Sequence, residues 1–341
     1  MQPRRTRFAI NGLGRIGRAL VRISRERPDI ELVAANDQAD PAIIARLLRH
    51  DTIHGHFPAA IELEADGLRI DGHAMRLFRQ QVPEEIPWDQ VPGGPPQVVI
   101  EATGRFRSRA AAAGHLAHGV ERVVVSATAQ GVDATFCIGI NHRDYDPERH
   151  RVVSNASCTT NCLAATLIVP LRRFGVAHTL MNTVHCYTNS QNLVDMAHPD
   201  ARRSRAAGAN IIPTTSDAID SIGLVLPELA GRVEGLAMRV PVAAGSLVDL
   251  AVELEHGTTI EEMAAAYREA AAGEHSAILG ATDEELVSSD YIGETRSAVV
   301  DLPLLQRTGD RLFRIVAWYD NEWGYTHRLA DLIAYLGGFD A

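Results

Sequence analysis

The sequence predicts an α/β protein built as two domains. Three observations carry that expectation. With 341 residues the chain can bury two cores. Its first half alternates short apolar runs with helical ones around a glycine-rich turn. Its second half carries alternating strand signals at 232–240, 246–255 and 311–319, with a helical segment at 260–272 between them. A composition of 46% hydrophobic and 22% charged residues is that of a globular chain and gives no case for disorder.

The net charge of −10, from 33 basic and 43 acidic residues, argues against a nucleic-acid partner, and the basic residues are scattered. No apolar run has the length of a membrane span. The basic start, residues 1–7, leads into a strand-like segment rather than the apolar core of a signal peptide. The expectation is a soluble, cytoplasmic protein. The four cysteines (Cys137, Cys158, Cys162 and Cys186) are too few for a secreted disulfide framework. No cluster of His and Cys has zinc-like spacing, so no metal is expected.

Taken in order, residues 7–11 form a buried strand. Gly12-Leu13-Gly14-Arg15-Ile16-Gly17 follows, and then a helical run at 18–25. A Gly-x-Gly-x-x-Gly between strand and helix is the setting of a dinucleotide site. Gly12 allows the tight turn, Gly14 lets backbone approach a pyrophosphate, and Gly17 lets the helix pack closely. A strand at 31–35 ends in Asn36-Asp37, about twenty residues past the last glycine, where an acid receives the adenosine ribose hydroxyls. A carboxylate there repels a 2′-phosphate, which favours NAD over NADP. A glycine-rich turn without a ligand is the competing interpretation.

The α/β alternation continues with a helix at 42–49 and a polar connection at 51–57. A hairpin is expected within 61–78, with turns at Asp66-Gly67 and Asp71-Gly72. After a Pro/Gly loop at 92–96 come a buried strand at 97–101 ending in Ala102-Thr103-Gly104, a helix at 109–118 and a strand at 122–126. The polar cluster Ser154-Asn155-Ala156-Ser157 then opens onto Cys158, ahead of an apolar helical run at 163–174. A thiol at a helix start meets free N–H groups and the positive end of the dipole, which favour thiolate. Pro170 should bend or break this helix. A strand at 177–184 ends in His185, a candidate acid and base for the thiol.

At this point the chain is identified as resembling the phosphorylating glyceraldehyde-3-phosphate dehydrogenase family, which includes the erythrose-4-phosphate dehydrogenases. The matching stretches are NGLGRIGR from Asn11, HDTIHGHF from His50, EATGRF from Glu101, SNASCTTNC from Ser154, HPDARRSRAA from His198, GLVLPEL from Gly223, MRVP from Met238 and WYDNEWGY from Trp318. The resemblance implies a Rossmann domain over 1–157, an α+β catalytic domain with a mostly antiparallel sheet over 158–321, and a C-terminal helix in 322–341 that packs back on the first domain. It implies that Cys158 attacks the aldehyde carbon to give a thiohemiacetal and then a thioester, with His185 moving the protons. NAD would be held by Gly12, Gly14, Arg15, Ile16, Gly17, Asp37, Thr103, Gly104, Ser126, Asn321 and Tyr325, with Asn321 on the nicotinamide carboxamide. Thr188 and Arg239 would bind the substrate's own phosphate. Arg203 and Thr159, with Ser157, Ser216 and Asp217, would surround the attacking inorganic phosphate. Bidentate guanidinium recognition suits the arginine roles. The long loop at 187–208, poor in apolar anchors, would lie at a homotetramer interface.

The chain also departs from the pattern. Asp217 stands where the family has a glycine that contacts inorganic phosphate. A carboxylate about 4 Å from a phosphate dianion costs several kcal/mol at intermediate dielectric. A weakened phosphate site would let water release the acyl group, as in the erythrose-4-phosphate branch. Tyr187-Thr188-Asn189 and Asp37 resemble the glyceraldehyde-3-phosphate enzymes instead. Ser190 and Met196-Ala197 replace an acidic residue and a Leu-Pro pair, which leaves tolerance of NADP open. A catalytically idle relative that senses redox state through Cys158 is the alternative from another class.

Overall fold

The computed structural model describes residues 5–338; residues 1–4 of the basic start and 339–341 of the C-terminal segment lie outside the described residues. The chain divides into two compact units, Met1–Ile138 with His142–Ala156 and Thr326–Ala341, and Gly139–Asn141 with Ser157–Tyr325.

In the first unit, β1 (Thr6–Asn11), α1 (Arg15–Ser24), β2 (Ile30–Asn36) and α2 (Pro41–Arg49) are followed by a small ribbon, β3 (His50–Asp51) and β4 (Gly55–His56). Then come β5 (Ile61–Glu64), β6 (Gly67–Ile70), β7 (His73–Phe78), β8 (Val98–Glu101), α3 (Arg109–Ala112), β9 (Arg122–Val125), β10 (Ala134–Thr135) and β11 (Val152–Ser154). The sheet runs β10-β11-β9-β8-β1-β2-β7-β6-β5. It is parallel from β10 to β7 and antiparallel at β6 and β5. Phe8, Ala9 and Ile10 are wholly buried on both faces of β1, as a central parallel strand requires. The expected hairpin is in fact a three-stranded meander whose last strand, β7, joins the main sheet beside β2. The helix at 109–118 is α-helical only to Ala112 and continues as 3-10 turns over Ala113–His118. Gly114, a poor helix former, sits there against Pro83 and Glu84, where a Cβ would lie 3.0 Å from the Glu84 nitrogen.

The second unit contains α4 (Cys158–Phe174), β12 (Val176–Cys186), β13 (Ile212–Thr214), α5 (Ala218–Val225), β14 (Val233–Val240), β15 (Ser246–Leu254), α6 (Ile260–Ala272), β16 (Leu279–Thr282), β17 (Ala298–Asp301), β18 (Gln306–Thr308) and β19 (Leu312–Tyr319). The last helix, α7 (Trp323–Leu336), starts in this unit and ends in the first. The sheet order is β13-β14-β12-β15-β19-β17-β16, with β18 beside β19. It is mostly antiparallel, as the resemblance implied; β12–β14 and β16–β17 are the parallel pairs. The β12–β14 pairing matters for chemistry because its register sets His185 opposite Arg239.

Pro170 does not break α4, which is helical from Cys158 to Phe174. Proline has no N–H for the carbonyl four residues back, that of Thr166. The Tyr267 hydroxyl, buried on α6, donates to that carbonyl at 2.8 Å and fills the gap. Tyr267→Phe should therefore leave a buried carbonyl without a donor and cost about 1–3 kcal/mol, measured by urea denaturation. A loss under about 0.3 kcal/mol would show the carbonyl satisfied some other way.

Candidate active site

The second unit assembles the thiol site from four elements. Ser157 caps α4, its Oγ accepting the Thr160 N–H at 3.0 Å. This hydroxyl, expected at the substrate, is engaged in holding the helix start. Ala156 before it has φ +55, a left-handed conformation costly for a residue with a Cβ, so the chain enters the helix through a strained corner. Cys158 is the first helical residue, half-buried, and its Sγ lies 3.5 Å from His185 Nε2 at the end of β12.

The electrostatics differ from the expectation drawn from the helix start alone. Burial pushes the Cys158 thiol up; Arg239, the Thr159 hydroxyl and the backbone N–H groups pull it down without overcoming burial. Burial and the Arg239 charge lower His185 to about 3, against the Cys186 carbonyl, which raises it. The resting pair is a thiol beside a neutral imidazole. Moving the proton across creates an ion pair whose members then stabilise each other in a low dielectric.

Nδ1 of His185 lies 2.7 Å from the Cys186 carbonyl, which can only accept, and 2.8 Å from Arg239 Nη1, which can only donate. It serves one of them at a time. With Nδ1–H on the carbonyl, Nε2 offers its lone pair to the thiol, the tautomer a general base needs. Arg239 keeps the same carbonyl at 3.1 Å and Thr188 Oγ1 at 3.5 Å. Its Nε is a buried donor with no partner among the described residues. Arg239 thus contacts both the His185 ring and the Thr188 hydroxyl.

The other sequence candidates divide. Thr159 Oγ1 bonds to the Tyr319 hydroxyl at 2.9 Å, which also meets Thr183 Oγ1 at 3.1 Å; Tyr319 packs edge-on to His185. Arg203 bonds through Nε to Thr214 Oγ1 (2.9 Å) and through Nη2 to the Thr215 carbonyl (3.4 Å), with Asp200 at 3.5 Å. Two of its five N–H donors are thus engaged, and Nη1 has no partner among the described residues. Asp217 occupies the N-cap of α5 without capping it by its side chain, and its carbonyl accepts from Ser221. Ser216 Oγ is 3.4 Å from the Ala218 N–H. Asn321 is buried with Oδ1 held by the Gly245 N–H (3.2 Å) and the Ser246 hydroxyl (3.5 Å), and its amide nitrogen has no partner among the described residues. Tyr325 is buried as well.

In the first unit the glycine turn fits a dinucleotide. Gly12 has φ +98, and a Cβ on it would lie 2.8 Å from the Thr103 nitrogen; a Cβ on Gly17 would lie 2.1 Å from the Gly12 carbonyl. A Cβ on Gly14 would meet nothing within 4 Å, so the turn has open space where a pyrophosphate would approach. The first turn of α1 carries no acid and its N-cap makes no side-chain bond, which leaves N–H groups for an anion. Asp37 accepts the Leu13 and Ala39 N–H groups at 2.7 and 2.9 Å, and each oxygen keeps acceptor capacity for a ribose hydroxyl. Arg15 pairs with Asp51. Burial pushes the Asp51 carboxyl up, but the His54 and Ile53 N–H groups and Arg15 hold it at about 2. Half-buried Ile16 follows on α1, Gly104 turns at φ +71, and the Ser126 N–H is fixed on the Glu101 carbonyl.

Sequence reasoning missed Tyr319, Asp51 and the strained Ala156. WYDNEWGY was noted as a motif, yet nothing in it says that its first tyrosine meets Thr159 on α4.

Residues 6–109 match the family model for the glyceraldehyde 3-phosphate dehydrogenase NAD binding domain, and residues 157–321 match that for its C-terminal domain. The chain is 44% identical over 330 residues to a glyceraldehyde-3-phosphate dehydrogenase of Geobacillus stearothermophilus, covering 97% of this chain and 98% of that one. A Streptomyces coelicolor glyceraldehyde-3-phosphate dehydrogenase is 44% identical and glyceraldehyde-3-phosphate dehydrogenase 1 of Bacillus subtilis is 42% identical, each with the same coverage. The chain therefore belongs to the glyceraldehyde-3-phosphate dehydrogenase family, NAD-dependent oxidoreductases.

Proposed function

We propose that this chain oxidises glyceraldehyde 3-phosphate to 1,3-bisphosphoglycerate, with inorganic phosphate as the acyl acceptor. The observation that carries it is Cys158 Sγ 3.5 Å from His185 Nε2, with Arg239 on the far side of the same ring. His185 takes the thiol proton as sulfur bonds to the aldehyde carbon. The carbonyl oxygen becomes the thiohemiacetal oxygen, stabilised by the Cys158 N–H at the helix start and by the imidazolium. NAD, when bound, supplies the acceptor for the hydride that leaves that carbon. The imidazolium gives its proton to the thiohemiacetal oxygen, and His185 takes it back as the hydride leaves and the carbon–oxygen double bond reforms, which gives a thioester on Cys158. Phosphate attack then breaks the carbon–sulfur bond and returns the thiolate. Thr188 and Arg239 hold the substrate's phosphate through this sequence, and Asn321 orients the nicotinamide carboxamide.

One observation favours a second reading. Arg203 is already bound to Thr214, Thr215 and Asp200, and a carboxylate, Asp217, stands at the start of α5. The carboxylate weakens a site for inorganic phosphate, and the neighbouring contacts hold Arg203 through Nε while leaving Nη1 for an anion. Water would then take the acyl group, with erythrose 4-phosphate as an alternative aldehyde. NADH formation from each aldehyde, with and without phosphate or arsenate, tests both. A rate indifferent to phosphate rules out the phosphorylating reaction. If Asp217 is the obstacle, Asp217→Gly should lower the KM for phosphate about tenfold or more; an unchanged KM clears the residue.

A homotetramer is supported by apolar side chains left bare in one chain. Leu193, Val194 and Met196 on the loop after β12 are 80%, 68% and 62% exposed. Leu180, Leu236 and Leu312 line a groove of about 620 Å³ on one face of the second sheet. Surfaces of this kind are covered by partners. Light scattering that gives the monomer mass would refute it. The four free cysteines suit a reducing, cytoplasmic setting.

A further inference from the structure

Beneath the glycine turn lies a row of buried polar side chains with no part in the chemistry above. Asn36, Asn11 and Glu101 are the last residues of three neighbouring strands, β2, β1 and β8, and Asn11 is in register with both of the others. They are 4%, 2% and 1% exposed. The Gln80 N–H donates to Asn36 Oδ1 at 2.7 Å, which fixes that amide's orientation. Asn36 Nδ2 then donates to Asn11 Oδ1 at 2.8 Å, and Asn11 Nδ2 to Glu101 Oε2 at 2.6 Å.

The row continues past Glu101. His115 and Trp88 are wholly buried. An indole N–H can only donate, so the 3.3 Å contact from Trp88 Nε1 to His115 Nδ1 leaves the imidazole proton on Nε2. That proton goes to Glu101 Oε2 at 3.0 Å. The other oxygen, Oε1, accepts the Thr103 N–H at 2.9 Å and the Thr103 hydroxyl. Glu101 therefore accepts from four donors on three residues: Asn11, His115 and Thr103.

Three of the four segments given to NAD in this unit, all but Ser126, begin just after a member of the row. Gly12 follows Asn11, Asp37 follows Asn36, and Thr103 lies two residues beyond Glu101. The clearance among these segments is small, since a Cβ on Gly12 would lie 2.8 Å from the Thr103 nitrogen. A buried carboxylate is a costly way to join strands, and apolar side chains of the same volume would often do so with equal or greater stability. What the carboxylate adds is direction, because each donor can reach it from one place only.

We propose that Glu101 is a positioning residue for the cofactor: it locks the ends of β1, β2 and β8 and residue 103 in the places the dinucleotide needs, and so sets NAD affinity without touching NAD. This rests on NAD lying on the Gly12–Gly17 turn. Glu101→Gln turns an amide N–H₂ either on the Thr103 N–H or on the Asn11 and His115 donors, so at least one tie must break. Calorimetry with the full chain, well below its melting temperature, should give an NAD Kd raised about tenfold or more, with the KM for NAD raised in parallel. The kcat at saturating NAD should stay within about threefold of wild type. A merely structural carboxylate would lower the melting temperature and leave Kd in place, so a folded variant with Kd within about twofold overturns the proposal.

Should Glu101→Gln fail to fold, Trp88→Phe removes the donor at the far end of the row, with part of a buried ring, and leaves all four donors to Glu101 in place. It should raise Kd about threefold, and an unchanged Kd also overturns the proposal. Gly12→Ala is the control for the turn itself. If wild type binds no NAD, or Gly12→Ala binds it normally, the turn assignment fails and Glu101's role goes with it. If Gly12→Ala fails to bind while Glu101→Gln binds as wild type, only the role of Glu101 is lost.

Discussion

Cys158→Ser should reduce aldehyde-dependent NADH formation by about 10⁴-fold or more, equivalent to about 5 kcal/mol of transition-state stabilisation. A serine hydroxyl is far less acidic than a thiol, and its Oγ is a far weaker nucleophile than thiolate. The residual rate should not recover at higher pH within the range where the protein stays folded. Alkylation supplies an independent readout. Cys137, Cys162 and Cys186 are buried, and burial pushes Cys137 and Cys186 up to about 12 and raises Cys162 further. Cys158 alone among the four is partly exposed, with Arg239 and helix-start N–H groups favouring its thiolate. Iodoacetamide should therefore add one label per chain to the wild-type protein and none to Cys158→Ser. The thiolate is the reactive form, so labelling should quicken as pH rises. Full turnover in the serine variant would mean that another group is the nucleophile. Labelling without any aldehyde-dependent NADH in the wild type would favour the idle, redox-sensing relative.

What the sequence made legible was whatever a single short segment encodes. The turn at 12–17 needs only its own glycines and the strand and helix on either side, so both its conformation and its ligand could be read from one stretch. The same holds for a cysteine opening α4, since a helix start is local. The direction of the Cys158 shift was not legible, because burial is a property of the packed chain and here outweighs the helix-start N–H groups. Contacts that depend on strand pairing were also out of reach. His185 meets Arg239 only because β12 and β14 pair in parallel at that register. The continuity of α4 through Pro170 needed a hydroxyl from α6, 101 positions from the carbonyl it serves. The row from Asn36 to Trp88 draws on five residues of which only Glu101 and Asn11 lay in noted motifs, and there for other reasons.

Gly17→Ala and Gly14→Ala should separate a glycine needed by the fold from a glycine needed by the ligand. A Cβ on Gly17 would sit 2.1 Å from the Gly12 carbonyl oxygen and 3.3 Å from Ile10 Cγ2. Carbon and oxygen in contact need more than 3 Å, so α1 must move off β1 by about an ångström. Forcing that shift in a packed βα unit should cost about 3 kcal/mol or more. It also moves the Gly12 peptide on which the turn depends, so NAD binding should be lost along with stability. Gly14 is the opposite case. Its φ of −68 suits any residue, and a Cβ there meets nothing within 4 Å. Gly14→Ala should therefore unfold within about 0.5 kcal/mol of wild type. The same methyl group would occupy the space where a pyrophosphate approaches the helix start, so the NAD Kd should rise about tenfold or more. Urea denaturation without cofactor gives the first quantity and calorimetry the second. Normal NAD affinity in Gly14→Ala would move the pyrophosphate away from this turn, whatever Gly17→Ala does to the fold.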